Sequence, residues 1–507
     1  MTAVVPAPER PSRYRIEPTV MQALRNPRLL TREVLAGLVV ALALIPEAIA
    51  FSIIAGVDPR VGLFSSFVMA VAISFLGGRP AMITAATGAV ALVIAPVARE
   101  YGMDYFIATV LLGGVIQIGL ALLGVAKLMR FIPRSVMVGF VNALAILIFT
   151  AQLPQLWDVP WLVYPLVAVG LAILFLMPRI TKVVPAPLVT IVLLTGAVVV
   201  FGWTVPNVGD QGELPQSLPE LFIPNVPFTL ETLGIIGPFA LAMAAVGLLE
   251  TLMTAKLVDD ITDTHSRKTR EAWGLGVANV LSGAFGGMGG CAMIGQTMIN
   301  VKASGARTRI STFLAGVFLL ILVVALGNVV AVIPMAALVA VMILVSISTF
   351  DWHSIRPSTL RRMPKSETAV MVITVAATVW THNLAIGVVL GVLTAMIMFA
   401  RRVAHFVTVT RTVAPSESGD IAHYEVVGEL FFASSNDLTT QFEYADDPEH
   451  VVIDMTRSHI WDASTVAALD AVATKYERLG KTASIQGLND TAAAFRRRLS
   501  GNLGAGH

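Results

Sequence analysis

The sequence predicts an all-α polytopic membrane domain followed by a small α/β domain. The chain of 507 residues is 56% hydrophobic and only 13% charged, whereas soluble proteins are typically about 45–50% apolar. Two glycine-rich breaks, at 77–88 and 286–296, interrupt membrane-length apolar stretches at corresponding places. After Arg402 the composition becomes that of an ordinary soluble protein.

Apolar stretches of roughly 17–25 residues can cross a bilayer as helices. Here they form two series of seven, which define repeats 34–203 and 232–400 within a transmembrane transport domain, 34–402. The first series lies near 34–54, 60–77, 84–97, 103–126, 131–152, 161–177 and 183–203. The second lies near 232–256, 271–285, 293–302, 310–328, 332–349, 367–382 and 384–400. We therefore expect fourteen spans, of which the third in each series is short.

Three pairs of similar segments relate the two series. Their offsets are 203, 211 and 201 residues, for Glu47 with Glu250, Ala81-Met82-Ile83 with Ala292-Met293-Ile294, and Ile132-Pro133 with Ile333-Pro334. Such similar offsets indicate an internal duplication. Because seven crossings is an odd number, the second copy must enter the membrane in the opposite orientation. The sequence thus predicts inverted repeats.

The distribution of basic residues predicts the orientation in the cell inner membrane. Cytoplasmic loops are enriched in lysine and arginine, and the N-terminal segment 1–33 contains Arg10, Arg13, Arg15, Arg25, Arg28 and Arg32. The loops on the same side of the predicted topology carry nearly all the other basic residues, and Arg60 and Arg99 are the exceptions on the opposite side. Both termini are therefore expected to be cytoplasmic. No cleavable signal peptide is predicted.

The C-terminal region, 408–507, alternates strand-like and helical segments. Strands are predicted near His423, His450 and Lys481. A helix is predicted between them, with Asp462 as its N-terminal cap and Gly480 at its end. Its apolar positions recur at helical spacing, at Val466, Leu469, Val472 and Tyr476. This pattern is typical of a small α/β domain, which we expect to be cytoplasmic.

The two short spans predict an anion site. If both begin at mid-membrane in inverted repeats, their N-termini face each other, and free amides and the helix dipoles favour an anion there. Small or neutral residues would let the backbone approach the substrate, at Thr87 and Gly88 in the first repeat and at Ile294, Gly295 and Gln296 in the second. The alternative is that these small residues only permit close helix packing.

Two acids lie inside apolar spans, where a charge is costly. Glu47 is predicted to couple transport to a proton, and the alternative is a structural hydrogen bond to unwound backbone near Pro46. Phe51, one helical turn later, either lines the pocket or packs. Glu250 is the second predicted coupling residue, and it either binds a co-transported cation with Thr254 or pairs with polar groups that hold the repeats together.

Several functions are excluded or disfavoured. The chain has no P-loop, HExxH, paired CxxC or GxSxG motif, so it is predicted not to be an enzyme and to need no cofactor. A net charge of +2 does not suggest nucleic acid. The single cysteine, Cys291, excludes an intramolecular disulfide. No metal site is predicted, because a solvated loop beside Arg267 and Lys268 better explains the acidic cluster of Asp259, Asp260, Asp263 and His265.

The segments 46–66 and 286–309 resemble the signature motifs of the sulfate permease family of anion transporters, and the terminal domain resembles its STAS domain. The resemblance implies a core domain of spans 1–4 and 8–11 that moves against a gate domain of spans 5–7 and 12–14 in an elevator-like cycle. It also implies a homodimer. The family's pocket residues correspond here to Glu47, Phe51, Thr87, Gly88, Glu250, Gly295 and Gln296. Many vertebrate relatives have an arginine where this chain has Gln296.

The sequence therefore predicts a secondary active anion transporter, in which a proton replaces the missing positive charge. Resemblance to a bacterial member of the family from Deinococcus implies proton-coupled uptake of a carboxylate or dicarboxylate such as fumarate. The alternatives are sodium-coupled uptake of bicarbonate or sulfate, and a membrane-embedded sensor that uses its STAS domain. In related STAS domains a serine at a helix start is phosphorylated, which makes Ser464 a candidate regulatory site. Its alternative role is ordinary first-turn helix chemistry.

Overall fold

A computed structural model describes residues 18–499, apart from 126, 128–131, 181–185, 405–406, 416–419, 433 and 435–437. Most of the predicted segment 1–33, including Arg10, Arg13 and Arg15, lies outside the described residues. The chain divides into two compact units, the first ending at Val392 and the second beginning at Leu393. Each unit has its own hydrophobic core.

The first unit is helical apart from two strands of three residues. Its helices are α1 Val20–Arg25, α2 Pro27–Ala55, α3 Pro59–Leu76, α4 Gly88–Leu122, α5 Arg134–Thr150, α6 Val163–Ile180, α7 Ala186–Phe201, α8 Leu230–Thr262, α9 Lys268–Ala284, α10 Ile294–Met298, α11 Arg309–Ala325, α12 Gly327–Ala331, α13 Met335–Thr349, α14 Pro357–Arg362 and α15 Lys365–Thr381. Helix α16, Leu384–Ala404, begins in this unit and ends in the second. The strands are β1 Thr84–Ala86 and β2 Gly290–Ala292, and α10 continues as a π-helical turn, Ile299–Ala303.

Seven helices in the described part of the chain are long and apolar enough to cross a membrane, and α7, α11 and α13 are shorter apolar helices. The two predicted short spans are present as a strand followed by a helix. Helix α4 contains two predicted spans, because Gly102 (φ +81°) breaks its helical geometry. This conformation is easily adopted by glycine and costly for other residues. The total of fourteen crossings stays a prediction.

Helix ends follow from local sequence. Helix α2 begins at Pro27, which needs no amide partner at the first helical position, and the Asn26 side chain accepts from the amides of Arg28 and Leu29. It ends at Gly56 in the left-handed conformation (φ +78°), a common helix terminator. Between these ends α2 continues through Pro46. The alternative of unwound backbone near Pro46 is therefore wrong.

The helices of the first unit form two groups. In the core group α4 packs against α8 and α9, and α11 packs against α2 and α3. In the gate group α5 packs against α15, and α13 packs against α5 and α6. We call the side on which α2 begins the near side and the opposite side, where α2 ends, the far side.

Two facing glycines, Gly114 of α4 and Gly276 of α9, bring the backbones of these helices into contact. A Cβ atom on Gly114 would lie 2.7 Å from the carbonyl oxygen of Gly276, and a Cβ on Gly276 would lie 2.7 Å from that of Gly114. Small residues allow such close approach between membrane helices. The core group is thus held together by backbone-to-backbone packing across the two repeats.

The structure corrects one of the three repeat matches. Thr87 precedes α4 and Met293 precedes α10, so these residues correspond, at an offset of 206 residues. The shared Ala-Met-Ile does not align, because Ile83 precedes β1 whereas Ile294 begins α10. The other matches fit the elements: α2 and α8 begin 203 residues apart, and Pro133 and Pro334 each precede a helix.

The second unit has a four-stranded sheet in the order β3-β4-β5-β6. Its strands are β3 Thr408–Ala414, β4 Ile421–Leu430, β5 His450–Ile460 and β6 Thr482–Gln486, and its helices are α17 Ala463–Arg478 and α18 Asp490–Leu499. Strand β3 is antiparallel to β4, whereas the β4–β5 and β5–β6 pairs are parallel. Strand β3 and helix α18 were not predicted.

Helix α17 confirms its predicted cap and periodicity. Asp462 accepts a hydrogen bond from the Thr465 amide at 3.0 Å. The four predicted apolar positions are all fully buried, at Val466, Leu469, Val472 and Tyr476. Behind this helix, the buried carboxylate of Asp447 accepts hydrogen bonds from the hydroxyls of Tyr424 (2.7 Å) and Tyr476 (2.5 Å) and from Arg411 Nε (2.8 Å).

Candidate anion-binding site where two strands cross

The centre of the first unit is a short antiparallel pairing of β1 with β2. Thr84 lies opposite Ala292, Ala85 opposite Cys291 and Ala86 opposite Gly290. Threonine hydroxyls accept from backbone amides beside the pairing: Thr297 Oγ1 from the Ile83 amide and Thr251 Oγ1 from the Ala292 amide, both at 3.0 Å. Unpaired backbone groups are costly in a membrane, and these hydroxyls satisfy them.

A buried amide network extends the pairing. Asn279 Oδ1 accepts from the Gly290 amide at 2.9 Å, and its Nδ2 donates to the Gly290 carbonyl at 3.1 Å. The same Nδ2 donates to Gln117 Oε1 at 2.8 Å. The Asn279 side chain therefore occupies the place of a neighbouring strand. This fixes β2 in position before the chain turns into α10.

A helix begins immediately after each strand. Gly88 begins α4 after Thr87, and Ile294 begins α10 after Met293. Neither Thr87 nor Met293 caps its helix through its side chain. We call residues 87–89 and 293–295 the helix starts. The Met293 amide donates to the Ile83 carbonyl at 2.9 Å. The amides that follow it, of Ile294 and Gly295, and those of Gly88 and Ala89 belong to the first turns of their helices and have no acceptor within the helix; such amides favour an anion.

Glu47 and Gln296 lie together at this place. The Glu47 carboxyl lies beside the Gln296 amide, and the two residues are only 7% and 3% exposed. Phe51 is also buried, and its ring lies against Gly88, where an added Cβ would lie 2.8 Å from Phe51 Cε1. The structure therefore brings the predicted residues of α2 to both helix starts, although they are far apart in sequence.

Glu250 is connected to the same place through Cys291. The Cys291 thiol donates to Glu250 Oε2 at 2.9 Å and lies 3.0 Å from Thr87 Oγ1. Thr254 Oγ1 donates to the Glu250 backbone carbonyl at 2.8 Å. Sequence reasoning used Cys291 only to exclude a disulfide. Its position inside the second glycine-rich break was the available signal that it belongs to the site.

Access to the two helix starts differs. Gly295 is exposed and Ile294 is partly exposed, and nothing would lie within 4 Å of a Cβ added to Gly295. Gly88 is buried, with Phe51 on one side and Ile148 of α5 on the other. The second helix start is therefore accessible, whereas the first is covered by Phe51 and Ile148.

The near-side acidic cluster is not wholly a solvated loop, which corrects that expectation. Asp259 is buried and pairs with the buried Arg79, with 3.1 Å between Asp259 Oδ1 and Arg79 Nη1. Arg79 also donates to the hydroxyls of Thr262 and Thr264. Asp260, Asp263 and His265 are exposed. Asp259 thus joins the end of α8 to the break that precedes β1.

Comparison with known proteins identifies the fold and the family. Residues 30–162 and 155–374 match the sulfate permease family, and residues 413–498 match the STAS domain. The Bacillus subtilis protein named "Putative sulfate transporter YbaR" is 49% identical over 92% of this chain and 97% of its own length. The bicarbonate transporter BicA of Picosynechococcus is 27% identical over 64% of this chain and 62% of its own length.

Among solved structures, the chain is similar to murine solute carrier 26 family member A9, an anion transporter in the inward-facing state. The TM-score is 0.78 at 17% identity, covering 96% of this chain and 88% of the murine chain. This likeness supports a mostly helical membrane domain followed by an α/β domain. The chain therefore belongs to the sulfate permease family and, with its C-terminal STAS domain, is a multi-pass membrane transporter of anions rather than an enzyme.

Proposed function

We propose that the chain is a proton-coupled symporter of a small carboxylate or dicarboxylate, with fumarate as the first substrate to test. The observation that carries this proposal is the position of the buried Glu47 carboxyl beside Gln296 and the two helix starts. An anion bound there would lie beside the Glu47 carboxyl group, and the neutral Gln296 stands where many vertebrate relatives have an arginine. Binding is favourable only if that carboxyl carries a proton.

The balance of charges at the site supports co-transport of a proton on Glu47. Each helix start contributes roughly half a positive charge, so the two together offset about one negative charge. Glu47 and Glu250 are both buried near them. If both were ionised, the site would be negative before any substrate arrived. Protonation of Glu47 removes this repulsion, and co-transport of that proton with the anion follows.

Alternating access is proposed to occur by elevator-type movement of the core group against the gate group. The two groups are separately packed, and both helix starts belong to the core group. Gly295 is exposed, and α10 runs from it toward the near side, while Ile148 of the gate group covers Gly88. With both termini cytoplasmic in the inner membrane, this arrangement corresponds to an inward-facing state.

Uptake into proteoliposomes tests the proposal. Fumarate uptake should rise with an inward proton gradient, and Glu47→Gln should abolish that rise while leaving exchange of fumarate across the membrane. Glu213→Gln is the matched control, because Glu213 is an exposed acid on the far side. Gradient-independent uptake by the unmodified protein would contradict proton coupling.

A second candidate is sodium-coupled uptake of bicarbonate or sulfate. Glu250 has a carboxylate oxygen in the site and Thr254 lies one turn later, and oxygen ligands suit hard cations. The names of the relatives YbaR and BicA also refer to these two anions. The same assay with sulfate or bicarbonate and a sodium gradient separates the candidates, because only this one predicts a sodium requirement and loss of uptake in Glu250→Gln.

The roles of the second unit and of assembly are further proposals. Ser464 is exposed in the first turn of α17, where a phosphate would be electrostatically favoured, and we propose it as a regulatory site. Uptake by Ser464→Asp and Ser464→Ala tests this.

The alternative to a transporter is a membrane-embedded sensor, which would bind the anion without transporting it. We also propose a homodimer, which light scattering of the purified protein in detergent would measure.

A further inference from the structure

A cavity that is open to solvent lies on the far side of the first unit, separate from the helix starts. This far-side cavity has a volume of about 460 Å³. Core helices α2 and α4 form one wall, and gate helices α5 and α13 with the turn between α15 and α16 form the other. Its described lining contains two basic residues and no carboxylate, together with the polar side chains of Thr150, Gln152, Gln155, Thr381 and Asn383.

Arg99 is the principal charge of this cavity. Its Nη2 donates to the Ile54 carbonyl at 3.0 Å, which holds the guanidinium in place. No acidic side chain in the described part of the chain lies within ion-pair distance of it. The contrast is Arg60, the other arginine on the far side, which pairs with Asp58 at 3.7 Å and with Glu213 at 2.5 Å. The charge of Arg99 is therefore available to a ligand.

The opposite wall supplies further donors. His382 lies in the turn between α15 and α16, in the left-handed backbone conformation (φ +49°). Asn383 Oδ1 accepts from the amides of Ala385 (3.0 Å) and Ile386 (3.3 Å). Since the oxygen is used by those amides, the remaining hydrogen-bonding group of Asn383 is its donor nitrogen. The cavity thus combines an unpaired cation with amide donors.

We propose that the far-side cavity is a second anion-binding site, specific for small inorganic or carboxylate anions and distinct from the site at the helix starts. Arg99 follows Gly88 by eleven positions in α4, which corresponds to about 16 Å along the helix. Leu147 lines the cavity while its neighbour Ile148 covers Gly88. An anion beside Arg99 is therefore separated from the helix starts, and it occupies the place from which the covered site would be reached on the far side.

The test measures the electrostatic potential inside the cavity and does not require transport. Thr150 is exposed and lines the cavity, so Thr150→Cys places a thiol there, and the native Cys291 is fully buried. In detergent, an anionic methanethiosulfonate reagent should label this thiol faster than a cationic one. Arg99→Gln should lower the ratio of the two labelling rates by roughly threefold or more, because local potential changes encounter rates strongly.

Matched variants distinguish the effect of the Arg99 charge from a general disturbance of the fold. Arg99→Lys should preserve the rate ratio, and Arg60→Gln should leave it unchanged because that arginine is already paired. Ser217→Cys, in the exposed far-side connection outside the cavity lining, should show no dependence on Arg99. Chloride, sulfate or fumarate should slow labelling of Thr150→Cys saturably. An unchanged ratio in Arg99→Gln, or no protection by any of the three anions, would overturn the proposal. Neither readout depends on proton coupling.

Discussion

The Cα atom of Gly88 lies against the Phe51 ring at the start of α4. An added Cβ would lie 2.8 Å from Phe51 Cε1 and 3.4 Å from Ile148 Cδ1, and overpacking of this kind typically costs about 1–3 kcal/mol. We predict that Gly88→Val raises the KM for uptake roughly tenfold, as follows from about 1.4 kcal/mol of lost binding. The double variant Gly88→Val/Phe51→Ala should recover part of the loss. A lack of recovery would show that Phe51 does not form the wall of this pocket.

Cys291 links Thr87 with Glu250, and its thiol is the donor to the Glu250 carboxylate. Leaving a buried polar group without its partner costs about 1–3 kcal/mol. Cys291→Val should therefore lower the thermal unfolding midpoint of the purified protein, measured by tryptophan fluorescence in detergent. Cys291→Ser keeps a donor and should lower it less. Equal effects of the two substitutions would contradict a hydrogen-bonding role.

At the residue level, the sequence could predict the groups whose chemistry is unusual for a membrane span. Glu47 and Glu250 are acids in apolar stretches, and Gln296 ends a glycine-rich break, so all three could be chosen as candidate site residues without coordinates. The structure places Glu47 beside Gln296; the role of both in coupling stays a prediction. Cys291 and Asn279 could not be predicted in the same way, because their importance depends on the partners that folding brings to them.

The pairing of β1 and β2 depends on side chains that substitute for missing strands. Thr251 accepts from the Ala292 amide, so Thr251→Val should remove a buried acceptor while preserving the shape of the side chain. We expect loss of about 1–3 kcal/mol and faster amide hydrogen exchange in peptides covering residues 290–296. Thr251→Ser is the control, because it keeps the hydroxyl. Unchanged exchange in the valine variant would contradict this role of Thr251.

Element boundaries in long helices were predictable from hydropathy, capping residues and basic loops. The two strands were not, since three-residue strands have no recognisable alternation and their stability comes from each other. The Ala-Met-Ile match shows that a short shared segment can misalign the two repeats. It suggested an alignment that differs by five residues from the one given by Thr87 and Met293, because short apolar words recur by chance in such a composition.

The second unit should lose stability at alkaline pH. Burial raises the pKa of Tyr424 and Tyr444, and burial together with the hydrogen bond to Asp447 raises the pKa of Tyr476 well above its ordinary value. Unfolded tyrosines ionise near pH 10 while the folded ones keep their protons. The unfolded state then binds fewer protons, so the free energy of unfolding falls as pH rises above about 10.

Limited proteolysis of the full-length protein in urea, with cleavage sites mapped by mass spectrometry, would measure this effect. The urea midpoint of the second unit should fall between pH 8 and pH 10.5. Tyr476→Phe should show a smaller fall, because phenylalanine does not ionise, although its midpoint at pH 8 is lower through loss of the Asp447 hydrogen bond. A midpoint that is constant or rises with pH would contradict the prediction.

At the scale of the whole molecule, the pairing of β1 with β2 has a consequence for how the protein evolved. Strand β1 has its hydrogen-bonding partner in β2, and the Ile83 amide is satisfied by Thr297, so neither half has a complete centre alone. An ancestor that existed before gene duplication would have needed two identical molecules inserted in opposite directions across one membrane. In a single polypeptide the two halves are free to diverge, so a residue such as Gln296 requires no matching change in the other half.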